Sequence, residues 1–297
     1  MNEHLLIDVK NLLYRVAFTS ESDLEFKKSG HHPINIALHL LGYYNRNFSP
    51  NNIHIFWDCD RNDIWRKKLL PTYKESREPS IKFGNMSSKI EELSSICIKL
   101  FCNMGFRQYY KSHMEADDLI YAFCISEKSS MVIVSGDSDL KQIIYRYDNV
   151  KLHNPFSRNK IEEKPMHDPV VLKSLIGDKT DNIDGYHMVG KVTAAELCES
   201  SDKMSEFFKS PKAVVKDGDN KLLVGQNRFN ENVKIIDLSQ CDWLQDNIDY
   251  INKIKLKPVK FDIKTIKELI IKCKLRGVLA DISKNIAPFK RLTEHGS

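Results

Sequence analysis

Three short apolar runs punctuate the first half of the chain, at residues 4–8, 53–57 and 131–135, each rich in Ile, Leu, Val and Phe. Each ends in, or runs straight into, an acidic or Ser/Gly/Asp segment. Between them apolar residues recur at helical spacing: Ile34, Ala37, Leu38 and Leu41, then Ile90, Leu93, Ile96 and Leu100, then the stretch 117–127. Strands alternating with helices predict an α/β fold, a central, mostly parallel sheet covered by helices on both faces. In such sheets ligands sit beyond the carboxyl ends of the strands. Asp8, Asp58 and Asp137 stand at those ends, so acids far apart in sequence are expected to meet.

Residues 60–88 break the alternation with many basic residues, two prolines and several aromatics, and read as a mobile, partly helical insertion. After about residue 165 the strand signal fades. Asp168–Pro169 predicts a helix start, 191–199 and 202–209 predict short helices, and 261–277 an amphipathic helix with Asp262 as N-cap and Gly277 as its stop.

The acids fall in five segments: LLIDVKN (Asp8), IHIFWDCD (Asp58), MEADDLI (Glu115, Asp117, Asp118), MVIVSGDSDL (Asp137, Asp139) and LIGDKTDNIDG (Asp178, Asp181). Each alone has a plain structural reading as a helix N-terminus, a capped turn or a polar loop. Together they would crowd nine carboxylates into one pocket, where mutual repulsion would keep several protonated. Hard divalent cations relieve that repulsion, and oxygen ligands in this number suit magnesium, with manganese as substitute. The pattern points to two-metal phosphoryl transfer.

Charge adds a substrate class. The net charge is +5, and setting aside the nine clustered acids leaves +14 on the remainder. An acidic hole in a basic surface fits a polyanionic substrate. In WRKKLLPTYKESR, basic residues Arg66, Lys67, Lys68, Lys74 and Arg77 interleave with Trp65 and Tyr73, as phosphate contacts beside stacking faces would. The seven cysteines are scattered without a CxxC pair, which argues against zinc and for buried thiols in a reducing, cytoplasmic setting. No apolar run suits a membrane span, and the first residues enter a strand at once, without a basic leader. No His pattern supports a protein nucleophile.

Taken together these segments resemble the 5′ nuclease (flap endonuclease) family, and most closely its T-even phage ribonuclease H type, which removes RNA primers. The closer match lies in WRKKLLPTYKESR, YDNVKLHNPFSRNK, LIGDKTDNI, and ENVKIIDL followed by INKIKLKP. The resemblance implies a nuclease domain over 1–165 with a helical arch at about 61–88, and a C-terminal helix-two-turn-helix lobe over 166–297 that grips duplex DNA. It assigns Asp8, Asp58, Glu115, Asp118 and Asp137 to a first metal, and Asp139, Asp178 and Asp181 to a second, with Asp117 in the same acidic run. Lys74 and Arg77 match the catalytic basic pair at the base of the arch; Arg66, Lys67, Tyr73, Gly190, Lys191 and Thr193 join them as nucleic-acid contacts. Met188 stands where the family usually has a glycine, at a turn implied to hold a monovalent cation. DNA and RNA–DNA duplexes with 5′ flaps or nicks are the implied substrates, a single-strand-binding protein or sliding clamp the implied partners, and a monomer the implied state. A same-fold binding protein without catalysis, a small acidic-site ribonuclease and a small-molecule phosphatase are the competing classes. The full acid set, the length and the basic aromatic segment weigh against them in turn.

Overall fold

The computed structural model describes residues 3–22, 32–75, 81–157, 161–217, 220–275, 277–279 and 282–293. The first half reads β1 (His4–Asp8), α1 (Val9–Ser22), α2 (Ile34–Phe48), β2 (Asn52–Phe56), α3 (Ile81–Asn103), β3 (Arg107–Tyr109), α4 (Ala116–Ser126), β4 (Met131–Val134), α5 (Lys141–Arg146) and β5 (Val150–His153). All five strands pair in parallel, in the order β3-β2-β1-β4-β5. The chain runs outward from β1 through β2 to β3, then crosses back to lay β4 on the other side of β1. The crossovers leave β1 in opposite directions, which opens a crevice at the carboxyl ends of the central strands.

Side chains obey the two-residue period of a sheet buried on both faces. Leu5, Ile7, Ile53, Ile55, Val132 and Val134 pack with α1, α2 and α3. Leu6, Phe56, Met131 and Ile133 pack on the other side with α4. The α/β parallel sheet is therefore as the apolar runs predict. Edge strands β3 and β5 were not foreseen, because Arg107-Gln108-Tyr109 and Val150-Lys151-Leu152-His153 are short and half polar.

Beyond the sheet follow α6 (Pro169–Ile176), β6 (Gly177–Asp178), β7 (Ile183–Asp184), α7 (Lys191–Cys198), α8 (Ser201–Lys209), β8 (Val214–Asp217), β9 (Asn220–Leu223), α9 (Asn227–Ile236), α10 (Leu244–Lys255), α11 (Ile263–Lys272) and α12 (Ile282–Asn285). The apolar clusters do not respect a division at residue 165. Leu238, Cys241 and Ile251 join the α4 side, whereas Ile266, Ile270, Phe289 and Leu292 join the α3 side.

Two local expectations are corrected. Asp262 does cap α11, accepting the Thr265 N–H at 3.1 Å, but the helix ends at Lys272, with Lys274 left-handed at φ 52°, well before Gly277. The stretch from residue 60 does not stand away from the body at its start. Its 3₁₀ turns Arg61–Asp63 and Trp65–Lys68 lie against it, and Ile64, Trp65, Arg66 and Tyr73 are buried. Arg77 and the rest of 76–80 lie outside the described residues, and 81–88 already belongs to α3.

The β6–β7 ribbon depends on two glycines. Gly177 has φ 79°, and a Cβ there would strike the Gly185 backbone; a Cβ on Gly185 would strike the Ile176 carbonyl. Gly185→Ala should therefore cost about 1–3 kcal/mol, as overpacking against backbone does, read as a lower urea midpoint. An unchanged midpoint would show that the approach is looser than described.

Candidate active site

The three central strands deliver one acid each. Asp8 ends β1; its Oδ1 accepts the Asn11 N–H at 3.1 Å and its Oδ2 accepts the Ser135 hydroxyl at 2.8 Å. Burial first, then the charge of Asp58, pushes the Asp8 carboxyl up to about 7. Asp58 lies two residues past β2, accepts the Ala116 N–H at 2.8 Å and pairs with Lys10 Nζ at 3.0 Å. Past β4, Asp137 accepts the Asp139 N–H at 2.9 Å. Burial and the neighbouring Asp139 raise its carboxyl above the usual range.

The start of α4 brings three more acids against these. Glu115 is the N-cap and forms a capping box with Asp118. Asp117 lies between them and lines a small cavity with Glu115, Asp139 and Asp181. Its carboxyl is held well above the usual range, by burial first and then by Asp137 and Asp8. Burial opposes ionisation of Glu115 too, yet Lys74 and Arg66 outweigh it and hold that carboxyl at about 2. The β6–β7 ribbon adds half-buried Asp178 at the end of β6 and buried Asp181 in its loop. Lys173, on α6, bridges Asp139 at 2.5 Å and Asp178 at 2.7 Å. Lys74 has φ 60°, a conformation rare outside glycine. Its N–H donates to the Asp181 carbonyl at 3.1 Å, its own carbonyl accepts from Arg61, and its Nζ meets Glu115 at 2.5 Å.

Among the described residues no three acidic, histidine or cysteine side chains close into a ready metal cage. The donor set still fits hard divalent cations. It consists of carboxylate oxygens, and after burial Asp8 and Asp117 are raised in part by Asp137, and Asp137 by Asp139, the mark of a cluster short of positive charge. Lys10, Lys74 and Lys173 supply some of that charge from the rim.

The family profile for the 5′-3′ exonuclease N-terminal, resolvase-like domain matches residues 3–173, more than half of the chain. The chain belongs to the 5′-3′ exonuclease family. A 5′-3′ exonuclease of Halalkalibacterium halodurans is 28% identical over 225 residues, 69% of this chain and 72% of its own. Flap endonuclease Xni of Shewanella sp. (strain W3-18-1) is 26% identical over 223 residues, 71% of this chain and 79% of its own. Among solved structures, a bacteriophage T5 flap endonuclease complex with DNA and metal ions superposes with a TM-score of 0.62 at 15% identity, over 92% of this chain and 100% of that one. The T5 5′-exonuclease with bound zinc gives 0.63 at 16% identity, over 91% of this chain and 99% of that one. These likenesses show the same fold. By its family this chain is a nuclease, a hydrolase of phosphodiester bonds.

Against that family pattern, the position of several side chains needs correcting. Asp118, expected as a metal ligand, is 1% exposed, and both its oxygens are spent. Oδ1 accepts from Arg66 at 2.8 Å; Oδ2 accepts from Arg66 at 3.0 Å, Trp65 Nε1 at 3.1 Å and the Glu115 N–H at 3.0 Å. Arg66, expected on nucleic acid, is 3% exposed and also donates to the Ile235 carbonyl at 2.8 Å. Tyr73 is buried and donates to Glu115 at 3.2 Å. Arg66 and Tyr73 line the same small cavity as Asp117, and Asp118 and Trp65 lie behind them. Lys67 remains half-buried and Lys74 faces Glu115. Gly190 caps α7 with open space around it, Lys191 is exposed and Thr193 half-buried. Met188 takes the left-handed conformation at φ 62° with 84% exposure, so the usual glycine is replaced at a position that still has a glycine's geometry.

Lys10, Asn11, Ser135 and Lys173 were missed. None carries a local motif; only the pairing of β1 with β2 and β4, and the packing of α6, bring them to the acids.

The raised carboxyls fix a pH dependence. From the ordinary carboxylate range up to about 7, folded Asp8 holds a proton that the unfolded chain lacks, so stability without metal falls as pH rises through that window. Thermal unfolding in chelator should give a falling Tm from about pH 5 to about pH 7.5, and Asp8→Asn should flatten the fall. A Tm that climbs with pH across this interval, unaltered by the substitution, would contradict the cluster.

Proposed function

We propose that this chain is a magnesium-dependent 5′-3′ exonuclease and structure-specific flap endonuclease that removes RNA primers and flaps from 5′ ends during DNA replication. The observation that carries this reading is the convergence of Asp8, Asp58, Glu115, Asp117, Asp137, Asp139, Asp178 and Asp181 on the crevice of the sheet, with lysines as their counter-charges. Two divalent cations, magnesium or manganese, held by these carboxylates would supply an activated water and stabilise the leaving 3′ oxygen. The protein's own part is placement. Arg66, Asp118 and Trp65 hold the α4 start rigid, so Glu115 and Asp117 stay aimed at the pocket. Lys74, fixed through its backbone to Asp181, offers an ammonium to the phosphate as charge grows on it. The exposed turn around Met188, Gly190 and Lys191 would meet the duplex backbone and keep the 5′ end in register. Residues 166–297 would supply that grip to the nuclease unit at 1–165.

The competing class is a binding protein of this fold. It predicts that acid and amide are equivalent in the pocket. Under the nuclease reading, Asp139→Asn should leave binding of a 5′-flap duplex within a few-fold while reducing single-turnover cleavage in magnesium by about 10²-fold or more, as loss of charge stabilisation does. Parallel loss of binding and cleavage, or cleavage that persists in chelator, would overturn it.

A further inference from the structure

A phenyl ring stands at the rim of the crevice with no share in the acid chemistry. Phe156 follows β5 and is 59% exposed. It belongs to none of the four apolar clusters formed by the described residues. Its ring lies directly on Gly136: a Cβ there would strike the ring carbons Cδ2 and Cε2. Gly136 sits between Ser135, which donates to Asp8, and Asp137, so the ring borders the two acids at the ends of β1 and β4. Gly136 is itself fixed, its N–H donating to Asn11 Oδ1 at 3.0 Å.

The loop that carries the ring is anchored. Asn154 Oδ1 accepts the Phe156 N–H at 2.9 Å, and Asn154 Nδ2 donates to Glu162 at 3.0 Å. Glu162 pairs in turn with Lys141 at 3.0 Å, and its own N–H donates to the Leu152 carbonyl at 2.8 Å. The Arg15 guanidinium lies 6.0 Å from the ring centroid and donates to the Tyr44 hydroxyl at 3.4 Å. Phe156 keeps most of its surface open to solvent beside the crevice, with the Arg15 guanidinium over the ring at 6.0 Å from its centroid.

We propose that Phe156 is a positioning residue, a stacking platform for the nucleobase beside the scissile phosphate; the role rests on the nuclease reading above. Every base offers a π-face, so such a platform accepts any sequence yet requires that a base be present. Gly136 permits the ring to come down against the backbone next to Asp137, which sets the stacked base close to the acids. The platform would discriminate against 5′ ends that lack a base at that nucleotide.

The test crosses two variants with two substrates. Phe156→Ala and Phe156→Trp are compared with the unaltered chain on a 5′-flap duplex bearing either a normal base or an abasic residue at the nucleotide flanking the cleavage point. Binding is measured in calcium and cleavage in magnesium, with 2-aminopurine at that nucleotide reporting stacking through its quenched fluorescence. Loss of one stacked base should weaken binding of the normal substrate by about 10- to 100-fold in Phe156→Ala. The same variant should leave the abasic substrate nearly unaffected and relieve the 2-aminopurine quenching, and Phe156→Trp should restore both. Equal losses on the two substrates, or no loss at all, would overturn the platform. Quenching that depends on Phe156 in a chain that never cleaves would keep the platform and remove the nuclease reading.

Discussion

Like charges held together against their repulsion are the constraint on which this architecture turns. The carboxyl ends of β1, β2 and β4 put Asp8, Asp58 and Asp137 on neighbouring strands, and the N-terminus of α4 presses Glu115 and Asp117 into the same space. Left alone, such a cluster would expand or stay protonated. Two devices hold it. Asp8 and Asp137 are tied by short hydrogen bonds to Asn11, Ser135 and Asp139 within the sheet's own loops. Lysines approach from three different elements, Lys10 on α1, Lys74 on the strap after β2 and Lys173 on α6. The balance is incomplete, since Asp8 and Asp117 remain raised. That residual shortage of positive charge is what a divalent cation can satisfy, and it links the fold directly to the chemistry.

Behind the cluster stands an ion pair of another kind. Arg66 meets Asp118 in a fork, with a second bond to Glu115, and none of the three side chains reaches solvent to any extent. A buried pair of this sort adds little net stability, whereas loss of one partner leaves a charge stranded. Its value lies in geometry. It ties the first turn of α4 to the 3₁₀ turn Trp65–Lys68, and through the Ile235 carbonyl to the end of α9.

The sheet was legible in the sequence because its strands are short apolar runs, and each run leads to an acid where the strand ends. That local signal put Asp8, Asp58 and Asp137 at strand ends, and the helix-start pattern put Glu115 at the head of α4. Direction was not legible. Asp117 and Asp118 are adjacent and chemically identical, and only the packing of the Trp65 and Arg66 strap on α4 sends one to the pocket and the other to the core. The same holds for WRKKLLPTYK, whose basic and aromatic letters suggest a surface. Arg66, Trp65 and Tyr73 are buried against two acids, Glu115 and Asp118, which accept their hydrogen bonds. Lys173 lies 34 positions from Asp139, one of the two acids it meets, and no spacing rule spans that distance.

The central claim is that the acids beyond the carboxyl ends of the central strands retain protons until a cation replaces them. It is tested most directly by calorimetric titration of manganese into the chelator-treated protein near pH 6, in buffers of differing ionisation enthalpy. The account predicts two ions bound per chain with release of protons to the buffer, since Asp8, raised to about 7, and the other raised carboxyls must ionise to bind metal. Metal binding with no proton release, or no binding at all, would contradict it.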